Sequence, residues 1–233
     1  MDIKVIYEDK NFIVINKPAG LLVHQAQFRR RTSNTEPSLV DWLLKNYPEV
    51  KIVGDNPAER PGIVHRLDKD TSGVMVIARN QETFDYLKSL FQKHLVKKVY
   101  LALVCGKLIQ RQGVIDKPIG IKNGSTKRSV HSQKMRKEAV TEYRVVKFLK
   151  LKDKEYSLLE IMPKTGRTHQ IRVHLASIGY PIAGDKLYGG HKNPLQGLAR
   201  QFLHAESIEF TDSGGRRIKF EADLPFELSF LIK

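Results

Sequence analysis

Short runs of β-branched and aromatic residues, broken by polar punctuation, begin almost at the first residue. Lys4 to Tyr7 and Phe12 to Asn16 are separated only by Glu8, Asp9, Lys10 and Asn11. That spacing predicts a β-hairpin, which Lys17, Pro18, Ala19 and Gly20 end. From Leu39 to Asn46 the period changes: Leu39, Trp42 and Leu43 share one helical face, Ser38 is placed to cap it and Pro48 to stop it. Val74 to Ala78 is an apolar run of strand length. Asn80 then caps a second helix that carries Phe84, Leu87, Leu90 and Phe91 on one side, and Lys98 to Val104 returns to strand character.

Strands dominate the second half. Val140 to Phe148 and Tyr156 to Met162 form one expected pair across a charged turn, and Phe202 to Phe210 with Arg217 to Phe220 form another. One helix interrupts them: Ile171, His174, Leu175 and Ile178 follow a helical period after Thr165 and Gly166, and Gly179 can end it. There is no internal repeat, low-complexity tract or linker, so the pattern predicts one continuous domain over residues 1–233 with strands and helices mixed.

Charge adds a partner. Forty Lys and Arg against 25 Asp and Glu leave a formal +15, which raises the local concentration of polyanions and favours RNA or DNA over an acidic membrane. Arg29, Arg30 and Arg31 stand in a polar loop from Gln25 to Pro37. Further basic stretches run from Lys93 to Lys98 and through Lys127, Arg128, His131, Lys134, Arg136 and Lys137. The single Cys105 can form no internal disulfide, and no segment has the apolar length of a bilayer span or a secretory leader. These features lead us to expect a cytoplasmic protein.

Two clusters carry candidate chemistry. The first, His65, Arg66, Leu67, Asp68, Lys69, Asp70, Thr71, Ser72 and Gly73, is a charged connection between apolar segments. A turn explains its last four residues, with Gly73 supplying a positive φ, but leaves Arg66 and Asp68 without a role. By local chemistry alone Asp68 and Asp70 are near-equal candidates for a reacting carboxylate. The second cluster, Thr165, Gly166, Arg167, Thr168, His169, Gln170, Ile171, Arg172, Val173 and His174, leads into a helix whose N-terminus could receive an anion. His169 and His174 are five apart, not the four that sets two imidazoles on one helical face, so no metal site is expected.

Together these clusters resemble the RluA-type pseudouridine synthases over nearly the whole chain. Asn16 to Gly20 resembles the opening motif of that family, "HRLDKDTSG" at His65 to Gly73 its active-site signature, and Lys98, Tyr100 and Ala102 the next block. "TGRTHQIRVH" at Thr165 to His174, then Pro181, Ile182, Gly184, Asp185 and Tyr188, and finally His204 and Ala205 follow in the same order.

The resemblance implies an α+β pseudouridine synthase fold, its central sheet mostly antiparallel or mixed, flanked by helices, with the active-site cleft across the sheet. It also implies isomerisation of uridine in structured RNA, ribosomal or transfer, by a monomer without cofactor or metal. In that reading Asp68 is the nucleophile, Arg167 its ion-pair partner, Tyr100 the ring stacked on the target base, and Arg66 the side chain that fills the space the base leaves. Leu67 shapes the turn. His65, Lys98, Thr165, His169, Gln170 and Arg172, with Arg29, Arg30 and Arg31, are the expected substrate and RNA contacts.

The residue types suit the chemistry. Breaking a glycosidic bond develops positive charge on the sugar, which an ionised carboxylate can stabilise or trap. A stacked uridine must first be extruded, and an Arg plane and a Tyr ring offset that unstacking. Whether the carboxylate attacks the sugar, attacks the uracil ring or first removes a sugar proton stays open. Two rival readings are a non-catalytic RNA-binding or ribosome assembly factor on the same fold, and a hydrolase that would release free uracil. Many members of the family carry a helical RNA-binding domain before the catalytic one; here the catalytic hairpin begins near Met1, so RNA affinity is expected from the domain's own surface.

Overall fold

A computed structural model describes residues 3–25, 36–122, 127–190, 195 and 198–232. Arg29, Arg30 and Arg31 lie outside the described residues. The chain forms two compact units, one of residues 1–97 and 206–223, the other of 98–205 and 224–233.

In the first unit the expected hairpin is present as β1 (Lys4–Glu8) and β2 (Phe12–Lys17), and β2 pairs antiparallel with β3 (Ser72–Ala78). All seven residues of β3 are buried, which is why its sequence shows no alternation of polar and apolar positions. β3 also starts two residues earlier than its apolar run, because Ser72 and Gly73 already belong to it and Gly73 pairs with Lys17. The φ of +123° at Gly73 is the positive φ its sequence position suggested. The helix α1 (Leu39–Asn46) has the expected bounds, and Ser38 and Asp41 form a reciprocal capping box at its start. In α2 (Gln81–Gln92) the Asn80 side chain accepts from the Thr83 amide at 2.9 Å. Phe84, Leu87 and Leu90 are its buried face. The strand β11 (Arg217–Glu221) pairs antiparallel with the 207–211 part of β10 (Leu203–Thr211).

The second unit is built on the antiparallel order β4 (Lys97–Cys105), β9 (Lys154–Pro163), β8 (Val140–Leu151) and β5 (Gln112–Asp116). β4 and β8 carry strands past their apolar runs, and a two-residue turn at Lys152 and Asp153 joins β8 to β9. A small hairpin, β6 (Gly120–Ile121) and β7 (Arg128–Ser129), stands apart from this order. The helix α3 (Gln170–Ser177) is followed by Gly179 at φ +86°, the expected stop. With α4 (Phe226–Ile232), these strands enclose a core in which Ala102, Leu103, Val104, Leu159, Ile161, Leu175 and Phe202 are almost wholly excluded from solvent. Among the described residues, no helix is long and apolar enough to cross a membrane.

Candidate active site

The 62–71 segment of the first unit is fixed at several points. Gly62 lies so close to β3 that a Cβ there would stand 2.4 Å from the Ala78 carbonyl, and its φ of +69° also requires glycine. His65 Nε2 accepts from the Val76 amide at 3.1 Å, so its ring proton is on Nδ1, and the ring stacks on Phe91 at 4.6 Å. Leu67 is 4% exposed, and burying it contributes roughly 1.5–3 kcal/mol toward holding the loop down. Its neighbours differ: Arg66 is exposed and Asp68 partly exposed. Arg66 and Asp68 are therefore offered to solvent by a backbone that Leu67 anchors.

The turn after Asp68 is closed by the Thr71 amide donating to the Asp68 carbonyl at 3.1 Å. Beside it is a feature the sequence did not reveal. Lys17 has no solvent exposure, and its Nζ donates to the carbonyls of Pro18, Leu21 and Lys69 at 2.8–3.0 Å. The Gly20 amide donates to the same Lys69 carbonyl at 2.9 Å. The end of β2 is thus stitched to the residue next to Asp68. A Lys closing an apolar strand reads from sequence as a solvated end; only the Pro and Gly that follow it hint at the fold-back that buries it.

In the second unit, Tyr100 sits in β4 opposite Ile161 of β9, half-buried against the core. Lys98 is two residues before it, and burial pushes its ammonium pKa down to about 8. Arg167 occupies the turn before α3, where its Nε donates to the Glu138 carbonyl at 2.8 Å.

Gln170 organises that turn. Its Oε1 accepts from the Thr165 hydroxyl at 2.7 Å and the Arg167 amide at 2.9 Å, while its Nε2 donates to the Val140 carbonyl and the Thr141 hydroxyl. Thr165 Oγ1 also accepts from the Val140 amide. Thr165 and Gln170, expected as substrate contacts, are buried and committed to each other and to β8. The Arg167 amide is likewise not offered to an anion, because Gln170 has taken it. Arg172 is likewise turned inward. Expected to meet RNA, it is 7% exposed and makes a two-pronged ion pair with Asp185 at 2.7 and 2.9 Å, its guanidinium over the Tyr188 ring. Burial alone would raise the Asp185 pKa, but the bonds from Arg172 and from the Tyr188 and Leu187 amides outweigh it and hold the carboxyl below its usual range. His169 is reached by the same group, its Nδ1 lying 2.9 Å from the Tyr188 hydroxyl.

His174 completes this network, with Nε2 donating to the Lys117 carbonyl and Nδ1 accepting from the Thr141 hydroxyl, both at 2.9 Å. Burial lowers its pKa, only partly offset by the carbonyl bond. The folded protein therefore resists protonating a group that titrates near 6.5 when unfolded. The stability contributed here is whole above that pH. It is lost at up to about 1.4 kcal/mol for each pH step of one below it, until the lower folded pKa is reached. Urea midpoints compared at about pH 7.5 and 5.5 should drop more in the wild type than in His174→Gln; equal drops would refute this.

The first unit thus holds Arg66, Leu67, Asp68 and His65, and the second holds Lys98, Tyr100, Thr165, Arg167, His169, Gln170 and Arg172. Each unit therefore carries candidate groups of its own: a charged loop anchored on a buried strand in the first, and a turn that carries an Arg in the second. Among the described residues, no cluster of His, Cys, Asp and Glu could hold a metal ion.

The RNA pseudouridylate synthase family model matches residues 11–177, and the chain belongs to that family. Among its relatives, the ribosomal large subunit pseudouridine synthase D of Borreliella burgdorferi is 39% identical over 223 residues, covering 96% of this chain and 65% of the relative. The protein of the same name from Zymomonas mobilis is 38% identical over 245 residues, covering 99% of this chain and 72% of the relative. The chain thus spans about two thirds of the length of these relatives. Among solved structures, human RNA pseudouridylate synthase domain containing 4 superposes with a TM-score of 0.74 at 27% identity, covering 98% of this chain and 91% of that one. The α+β pseudouridine synthase fold expected from the sequence is therefore the observed one.

Proposed function

We propose that this chain is an RNA pseudouridine synthase in which Asp68 is the catalytic carboxylate, both units working as one catalytic domain. The observation that carries the reading is the Asp68 turn: within the family match it is a charged loop clamped by Lys17, Gly20, Leu67 and His65, with a partly exposed carboxylate at its head. Rigid placement of a reacting group is worth several kcal/mol of barrier, and this loop is held on both sides.

In this reading Tyr100 stacks on the flipped uracil, Arg66 fills the vacated stack, and Arg167 pairs electrostatically with Asp68. The N-glycosidic bond breaks with its electron pair staying on N1, uracil turns while still held, its C5 joins the anomeric carbon, the C5 proton leaves to solvent, and N1 takes up one proton from solvent in exchange. Formation of a C–C bond in place of the C–N bond balances the step without water, metal or cofactor. Arg167→Ala should lower kcat roughly a hundredfold while leaving the fold intact, since the turn itself is held by Gln170; a variant turning over like wild type would remove Arg167 from the mechanism.

The names of the two bacterial relatives favour large-subunit ribosomal RNA as substrate; action as a cytoplasmic monomer is a further part of the proposal, carried over from the sequence and its family resemblance. A map of pseudouridine across all cellular RNA, with and without the gene, tests this: a few ribosomal positions should lose the modification. Loss confined to transfer RNA would replace the substrate, and no loss anywhere would sink the reading.

A further inference from the structure

The outer end of the β8–β9 hairpin carries a cluster of cations. Two cations lie over the ring of Phe148 of β8, Lys107 Nζ at 5.6 Å and the Arg111 guanidinium at 5.5 Å from its centre. Register explains how they meet. Phe148 pairs with Ser157 of β9, whose hydroxyl donates to the Gly106 carbonyl and accepts from the Leu108 amide, and this lays residues 106–108 along the same face. The Arg111 carbonyl is joined to the Val145 amide at 2.7 Å. Lys150, two residues beyond Phe148, shares that face by strand alternation. Its opposing carboxylates are few and exposed: Asp153 lies 3.4 Å from Lys150, and Glu155 lies 4.0 Å from Lys107.

The tip adds an independent observation. Lys152 and Asp153 have φ of +47° and +63°, the type I′ turn that Asn-Gly forms with least strain. A Lys in the left-handed region is disfavoured, and such strain is retained where the side chain is wanted. Here it sets a cation at the end of a cationic face.

We propose that this face, comprising Lys107, Arg111, Lys150 and Lys152 around Phe148, binds the phosphate backbone of the substrate RNA outside the reacting nucleotide. The proposal rests on the function proposed above and deepens it. Cations spread along a rigid strand and its turn suit a regular run of phosphates; Phe148 stiffens the pair that grips it.

The test is the full chain binding a labelled RNA stem-loop at several salt concentrations, with turnover followed on substrate RNA. The double variant Lys150→Gln/Lys152→Asn, whose Asn also suits the turn, should bind roughly tenfold more weakly and flatten the salt slope by about one to two. It should raise KM while leaving kcat at saturating RNA unchanged. Asp153→Gly, which relieves strain and removes a carboxylate, should raise the melting temperature and tighten binding. Unchanged affinity and slope in the double variant would overturn the proposal, including the case in which the face instead binds an acidic protein. Wild type that converts no uridine defeats the proposed function; wild type that converts while the variants bind normally defeats this inference alone.

Discussion

Asp68→Asn is expected to abolish pseudouridine formation while leaving RNA affinity within a few-fold of wild type. Asn is nearly the same size and can occupy the same turn, because the Asp68 carbonyl that accepts from the Thr71 amide is retained. Leu67, Lys17 and His65 would hold the loop as before. What is lost is the negative charge and the nucleophilic oxygen, neither of which an amide supplies. Docking depends instead on cations spread over the surface, so binding survives. Loss of activity together with loss of RNA binding would recast Asp68 as a folding residue, and undiminished activity would exclude it from the chemistry.

The largest expected effect on stability is at Arg172 and Asp185. Asp185→Asn should destabilise the protein by about 3–5 kcal/mol, because it leaves the Arg172 guanidinium buried without its counter-charge. The same carboxylate accepts from the Leu187 and Tyr188 amides at 2.9 and 3.0 Å, so the turn that carries Tyr188 loosens too. Tyr188 reaches His169, and activity should therefore fall with stability. Urea denaturation measures the first effect, and a double variant Arg172→Met/Asp185→Asn should recover much of it, since it leaves no buried charge while the Asn Oδ1 can still accept from both amides. A single-variant loss below about 1 kcal/mol would mean that water reaches the pair.

The elements and part of the site were legible in the chain, for different physical reasons. α1 and α2 follow from local chemistry, because Ser38 and Asn80 satisfy amides within three residues of themselves. The hairpin of β8 and β9 follows from two long strand-forming runs on either side of a charged turn. As the proposed carboxylate, Asp68 is distinguished from Asp70 by the family motif and by the turn-forming role open to Asp70, since both stand in one turn.

The rest depended on contacts distant in sequence. Lys17 is buried by the carbonyl of Lys69, 52 residues away, and no local pattern marks that. Arg172 and Gln170 read as surface residues of an anion-binding helix start. They are instead buried by Asp185 and by β8, partners reached only after the chain has folded back. A basic or amide side chain in a motif thus says that a polar bond is needed, not whether RNA or the protein itself supplies it.

The chemistry is tested most directly by giving the purified chain RNA whose uridines carry a hydrogen isotope at C5 and following both label and base. Label should appear in water in step with pseudouridine, one for one, with no free uracil and no abasic site. Release of uracil, or pseudouridine formed with the C5 label fully retained, would contradict it.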